Sequence, residues 1–305
     1  MPIKLSIKEL LFKLPFFYQR CFIISVLLFE SLIQYLRCCY LRFSGMHEFN
    51  ISSLRNDRLP RRCHILGSGW SLNHSFCTIN TEKEFVIGFN FSYLKFNSPD
   101  LHFVENASYK NHVFSDNTAL IYYGLRRHSV FENSIVVFKN LSEIKNNVKL
   151  ISSLYSKKSL FIKDKHYRIL SNESLEYCVD KMMEDHGYVP QAYSSAIGLI
   201  FFAYHMGFEE IIIHGLDFGG AHFYGEDLVS AIALGCSDRT ENQHGEEKYK
   251  PHKTSLRFGE VGIQEMLALI KEKFEKKSVK LYSTPFSPSA EILGYVDDAK
   301  FSADS

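Results

Sequence analysis

The segment from Ser194 to Asp227 constrains this chain more than any other, because it reads in one pass as a buried helix, a buried strand and a polar loop. Ala196, Ile197, Ile200, Phe201 and Tyr204 recur at helical spacing, and Gly207 stands where a C-terminal cap is expected. The β-branched run Ile211-Ile212-Ile213 is too short for a second helix and is bounded by charge and glycine. That predicts a strand covered on both faces, the kind found in parallel sheets. Ligands of open parallel sheets lie beyond the carboxyl ends of the strands, which puts His214, Gly215, Asp217 and the loop to Tyr224 at the working edge. A turn capped by one aspartate is the alternative.

The same strand-to-loop pattern recurs earlier. Cys63-His64-Ile65-Leu66 runs into Gly67-Ser68-Gly69-Trp70-Ser71-Leu72, where two glycines beside a serine allow close backbone approach to a phosphate or ribose and leave N–H groups to bind an anion. The third glycine of a dinucleotide fingerprint is missing, and so is a Gly-Lys-Ser/Thr ending, so neither an NAD site nor a P-loop is supported. Phe85 to Phe89 ends at Asn90, and Leu101 to Val104 ends at Glu105-Asn106. An amide offers donors and an acceptor to a base or sugar, and an ordinary Asx turn is the other reading of each asparagine.

From residue 60 onward short apolar runs alternate with helical patterns, without repeats, as in an α/β domain. Ile135 to Phe138 and residues 150 to 162 read as further strands or short elements, Phe258 to Phe274 as an amphipathic helix and Val279 to Tyr282 as a last strand. The polar loop Ser283 to Ser289 follows on the same edge. The expected fold is a Rossmann-like, mostly parallel sheet with helices on both faces, spanning 61–305. Residues 219–253, rich in Gly, Asp, Glu, Gln and His, are expected to form a lid.

The first 45 residues differ. Large apolar side chains dominate from Leu10 to Leu36, but charges at Lys13, Arg20, Glu30 and Arg37 interrupt them, so no uninterrupted apolar stretch reaches the roughly 18 residues of a spanning segment. With Arg55, Arg58, Arg61 and Arg62 clustered behind, the segment reads as membrane-associating helices lying on anionic lipid; a helical hairpin packed on the domain is the alternative. No small-residue cleavage site follows, which speaks against a signal peptide. Residues 46–60 read as a polar linker.

Composition narrows the function classes. A 305-residue chain that is 46% hydrophobic can bury one large core, and a formal charge of +1 excludes a dedicated nucleic-acid binder. Seven cysteines without CxxC spacing fit free thiols in a reducing compartment, and thirteen histidines contain no HExxH, so no metal site is expected.

Taken in order, GSGWSL, FNFSYL, VENAS, SSAIGL, HGLDF, FYGED and Tyr249-Lys-Pro-His252 resemble the bacterial lipooligosaccharide sialyltransferases that use CMP-sialic acid, over about residues 63 to 295. The GLD...FY segment and the later Ser-Pro loop also resemble lipopolysaccharide core proteins assigned to Kdo transfer. The resemblance implies an inverting, metal-independent transferase with no cofactor beyond its CMP-activated ulosonic acid donor, and a lipooligosaccharide or other glycolipid acceptor. It places the enzyme at the cytoplasmic face of the inner membrane, with a homo-oligomer as a further expectation.

By the same resemblance Gly67, Ser68, Gly69, Ser71 and Asn90 contact the donor, with Asn106 near it. Ser194 and Ser195 lie by the phosphate and carboxylate, Gly215 and Asp217 line the site, and His252 is the general base in a Tyr249-x-x-His252 context. Of two lid tyrosines that donate to the leaving phosphate, Tyr224 matches one. The other position falls on Gly219, where His222 or Tyr249 could compensate. An arginine that precedes the hydroxyl pair in the family is replaced around Ala192-Tyr193. The glycine loop is also similar to those of archaeal-type pterin pyrophosphokinases, which would need magnesium and an acidic cluster, for which Asp217, Glu226 and Asp227 are the candidates. A non-catalytic assembly protein on the same fold is the third reading.

Overall fold

The computed structural model describes residues 10–51, 60–75, 79–80, 82–105, 112–142, 144–145, 148, 151, 159–220, 222–225, 228–234, 257 and 261–296. Its strands are β1 (His47–Glu48), β2 (Arg62–Leu66), β3 (Phe85–Phe89), β4 (Leu101–Glu105), β5 (Ile135–Lys139), β6 (Ser159–Phe161), β7 (Asp164–His166), β8 (Val189–Gln191), β9 (Glu210–His214) and β10 (Lys280–Ser283). The longer helices are α1 (Phe16–Phe43), α2 (His112–Arg127), α3 (Asn172–Glu184), α4 (Ser195–Met206) and α5 (Ile263–Glu275).

Eight strands form one parallel sheet in the order β1-β6-β5-β4-β3-β2-β9-β10, and β7 pairs in parallel with β8 in a second, two-stranded sheet. Alternating side chains explain the layers. Ile65, Ile87, Phe103, Val137 and Ile213 point to one face, into a core shared with Phe201 and Phe202 of α4 and Met266 and Ile270 of α5. Leu66, Val86, Val104 and Phe138 point to the other, against Tyr122 and Leu125 of α2. Both faces are therefore covered, which is why the strands read as continuous apolar runs. α4 is apolar on every side and lies buried, Phe202 packing edge-on to Phe103 with centroids 4.8 Å apart, and Gly207 ends it in the left-handed conformation at φ 92°. α5 starts later than the periodicity suggested, at Ile263, where the Gly262 N–H donates to the Glu265 carboxylate.

The chain winds outward from β2 through β3, β4 and β5 to β6, then returns to the other side of β2 as β9 and β10. The winding reverses between β2 and β9, and a ligand crevice forms at such a switch point, beyond the strands' carboxyl ends.

One part of the N-terminal reading is corrected. The stretch taken as a linker from residue 46 enters the sheet: His47 and Glu48 pair with Leu160 and Phe161, and Met46, Phe49 and Ile51 are buried. Phe49 packs against Phe202, so this short edge strand is held by core contacts that a polar-looking sequence does not advertise. Upstream, the expected N-terminal helical segment is present as one long helix. α1 runs 28 residues, about 42 Å at 1.5 Å per residue, long and apolar enough to cross a membrane by length and composition. Its charges serve packing: Arg42 pairs with Glu48, Arg20 lies over the Tyr177 ring, and Glu30 accepts the His166 N–H at 2.7 Å.

Candidate functional site

At the switch point the two predicted loops are bonded to each other. The Gly67 N–H donates to the His214 carbonyl at 2.8 Å and the Gly69 N–H to that of Gly215 at 3.0 Å. A Cβ on Gly69 would stand 2.4 Å from Asp217 Oδ2 and 2.7 Å from the Gly215 carbonyl oxygen, and Gly215 itself holds φ at 68°. Close approach is thus what the glycines provide, but to the neighbouring loop. The Gly67 and Gly69 N–H groups expected to bind an anion are already spent.

Ser71 and Asp217 bond to each other. Ser71 is wholly buried, and both its N–H (2.9 Å) and its hydroxyl (2.5 Å) donate to the Asp217 carboxylate, which takes a third hydrogen bond from Ser287 at 2.9 Å. Ser287 donates as well to the Leu216 carbonyl, so the loops after β2, β9 and β10 meet on one carboxylate. Asp217 reaches the cavity wall from this clamp, while Ser71 supports the glycine loop from behind.

Beneath the clamp lies a buried polar row. The Ser75 hydroxyl donates to the Ser71 carbonyl at 3.2 Å and faces His214 Nδ1 at 2.9 Å. His214 Nε2 lies 2.8 Å from His64 Nδ1, and His64 Nε2 is 3.1 Å from Glu84. Burial first, then the neighbouring His64, pushes the His214 imidazole well below its ordinary pKa, so it is neutral.

A cavity of about 620 Å³ opens in front. Gly67, Ser68, Gly69, Asn90, Ser194, Ser195, Gly215, Asp217 and Tyr224 line it, so one site gathers these sequence candidates from four loops. Asn90 adopts φ 46° after β3. Its side-chain carbonyl accepts the Glu105 N–H at 3.0 Å, which leaves its amide N–H groups for a ligand. His102 Nε2–H donates to the Asn90 main-chain carbonyl at 2.9 Å, and burial lowers the His102 pKa to about 4. Tyr193 (φ 36°) and Phe218 (φ 57°) share the same wall. Three non-glycine residues in the left-handed region around one cavity are the backbone strain that functional sites retain.

Ser194 caps α4 by position, but its hydroxyl is buried and has no hydrogen-bond partner among the described residues. Ser195 Oγ donates to the Glu105 carboxylate, which also lies 3.4 Å from the wholly buried Lys139 ammonium. Opposite, the His222 ring stacks on Tyr224 with centroids 4.9 Å apart, and His222 Nδ1 is 3.2 Å from the Ser68 carbonyl, which also accepts the Phe223 N–H. The start of the expected lid therefore lies over the glycine loop, with His222 beside Tyr224 and Gly219 on the lining.

Sequence reasoning missed the polar lining residues Glu105, His166, Arg168 and Gln191. The last three come from the β7–β8 pair, where His166 is in register with Gln191 and the Tyr167 N–H donates to the Gln191 carbonyl at 2.9 Å. Asn106, Tyr249 and His252 lie outside the described residues, as do Glu226, Asp227 and most of the expected lid. Among the described residues no group of three His, Cys, Asp or Glu side chains is placed to hold a metal ion.

No family model matches the chain, and no curated protein matches it. Among solved structures it is similar to the sialyltransferase CstII from Campylobacter jejuni in complex with cytidine-5'-monophosphate, at 15% identity over 77% of this chain and 84% of that one, with a TM-score of 0.41. The same enzyme in complex with CMP-3FNeuAc aligns at 15% identity over 77% and 85%, with a TM-score of 0.43. The monofunctional α-2,3-sialyltransferase Cst-I from Campylobacter jejuni aligns at 15% identity over 79% and 81%, with a TM-score of 0.44.

Proposed function

We propose that this protein is a glycosyltransferase that moves a ulosonic acid, sialic acid or Kdo, from its CMP-activated donor to a sugar hydroxyl of a surface glycolipid. The observation that carries the reading is the convergence of separate sequence blocks. GSGWSL, FNFSYL, SSAIGL, HGLDF and FYGED each resemble a sialyltransferase block, and each contributes to the one strained cavity at the switch point of the sheet. Carbon–oxygen cleavage in a CMP-ulosonate proceeds through an oxocarbenium-like transition state. The protein must then supply a base for the acceptor hydroxyl and donors for the departing phosphate. Tyr224 and His222 on the lining offer those donors, and His252 is assigned the base from its Tyr249-x-x-His252 context. Attack by the acceptor from the face opposite the phosphate inverts the anomeric centre in one step, without a metal.

Incubation with CMP-sialic acid or CMP-Kdo and a galactose- or core-sugar-terminated acceptor is expected to release CMP with one of the two donors. His252→Ala is expected to slow that turnover by about a hundredfold, the loss of a general base, while CMP binding persists. Full turnover in the variant removes His252 from the mechanism, and no consumption of either donor by the native protein refutes the reading.

We further propose that α1 seats the enzyme on the membrane surface. The helix buries Ile23, Cys38 and Leu41 in the core and leaves a second apolar face open. Its docked stripe carries Gln19, Glu30 and Gln34, bonded to Ser171, His166 and Asp164, whereas Phe17, Leu28, Phe29, Leu32, Leu36 and Phe43 are each more than half exposed. A docked face on one side and a row of exposed apolar side chains on the other suit a helix lying in the lipid interface, close to a lipid-linked acceptor.

A further inference from the structure

The cavity has one wall that the reading above leaves unexplained. Arg168 is the only lysine or arginine among the described lining residues, and its guanidinium makes no ion pair or hydrogen bond among them. Charged neighbours elsewhere are paired: Lys165 with Asp185, Lys163 with Glu48, and Lys139 with Glu105. The loop that carries Arg168 is fixed on three sides. The His166 N–H donates to Glu30 of α1 at 2.7 Å, the Tyr167 N–H to the Gln191 carbonyl at 2.9 Å, and the Tyr167 hydroxyl to Asp185 at 3.3 Å. Gln191 and Ser194 line the same wall, and Gln191 Nε2 and Ser194 Oγ are buried without partners among the described residues. A free guanidinium on a held loop, beside two buried donors with nothing to donate to, is the complement of a planar anion.

We propose that Arg168 is a specificity-determining residue that binds a substrate carboxylate, with Gln191 and Ser194 donating beside it. The inference rests on the transferase reading. The glycine loop at the β2–β9 switch and Asn90 at the end of neighbouring β3 take the nucleotide, whereas Arg168 follows β7 in the small second sheet and meets the sugar part. A ulosonic acid carries such a carboxylate on the donor, and an acidic acceptor sugar would carry the same group.

The test compares native protein with Arg168→Met and Arg168→Lys. Arg168 is solvent-exposed, so the variants are expected to fold with an unchanged Tm. Calorimetric titration with CMP, which has no carboxylate, is expected to give the same affinity in all three within about twofold. CMP-ulosonate binding is expected to weaken at least tenfold in Arg168→Met and less in Arg168→Lys, and a methyl-esterified donor should not distinguish native protein from Arg168→Met. Unchanged donor binding with a raised KM for acidic but not neutral acceptors assigns the carboxylate to the acceptor. An equal loss for CMP itself, or no loss for any ligand, overturns the proposal. If native protein binds no CMP at all, the transferase reading fails instead. Free ulosonic acid then tests Arg168 alone: binding that Arg168→Met abolishes sustains the carboxylate site, and binding that is absent or equal in the two overturns it.

Discussion

Ser71 and Asp217, separated by 146 residues, hold each other through two hydrogen bonds, from the serine N–H and from its hydroxyl to the two carboxylate oxygens. With Ser287 as third donor, Asp217 ties together the loops after β2, β9 and β10 and fixes the floor of the cavity. Asp217→Asn replaces one acceptor oxygen with an NH2 group facing donors. The expected cost is about 2–4 kcal/mol, because buried hydroxyl and amide donors lose a charged acceptor. Urea unfolding measures it, and a loss under about 0.5 kcal/mol would remove the clamp from the account.

The buried histidines make stability pH-dependent with a definite sign. Burial lowers His102 from 6.5 to about 4, and burial with the neighbouring His64 lowers His214 well below 6.5. Between these limits the unfolded chain binds protons that the native state refuses. Stability therefore falls as the pH drops from about 6.5 to 4, by at most about 1.4 kcal/mol per unit for each group. His102→Gln keeps a donor for the Asn90 carbonyl and removes one titrating group, so its denaturation midpoint is expected to vary less over this range. Identical slopes for native protein and variant would contradict the argument.

Glu105 is the carboxylate nearest the buried Lys139 ammonium, at 3.4 Å, and it also accepts from Ser195. Glu105→Ala strands the ammonium and is expected to cost about 2–3 kcal/mol, less than a fully buried pair because Glu105 is 30% exposed. Adding Lys139→Met should recover most of that loss, since an apolar group of similar length suits the site. A double-mutant cycle with additive losses would show that the two do not interact.

Much of the frame was legible in the sequence, because β2, β3, β4, β5 and β9 are covered on both faces and so read as apolar runs, and α4 is apolar throughout. α3 carries a readable signal that went unread: Ser171 and Ser174 cap it reciprocally, and Leu175, Cys178, Val179 and Met182 follow at helical spacing. β1 was illegible, since His47 and Glu48, which pair with Leu160 and Phe161, are polar, and the buried anchors Phe49 and Ile51 lie just beyond them. At the site, glycine and asparagine at strand ends marked the right edge. Which polar groups face a ligand and which face each other depends on contacts between distant loops, so the bond between buried Ser71 and Asp217 on the cavity wall had no local pattern to announce it. Arg168 and Gln191 reach the cavity through the β7–β8 pairing, which leaves no local pattern around either residue.

The exposed apolar face of α1 is open to direct measurement. Purified protein is expected to float with anionic phospholipid vesicles, less with neutral ones, and less in high salt. A variant with Ser at Leu28, Phe29, Leu32 and Leu36, all outside the docked stripe, should keep its fold and lose flotation. Native protein that stays in the dense fraction with both vesicle types would refute a membrane-seated helix.

Calorimetric titration in EDTA with CMP, and in parallel with ATP, NAD and UDP, tests whether the switch-point cavity takes a CMP-activated sugar. Saturable binding of CMP alone, without metal, is the expected result. No CMP binding, or binding of ATP only after magnesium is restored, would contradict it.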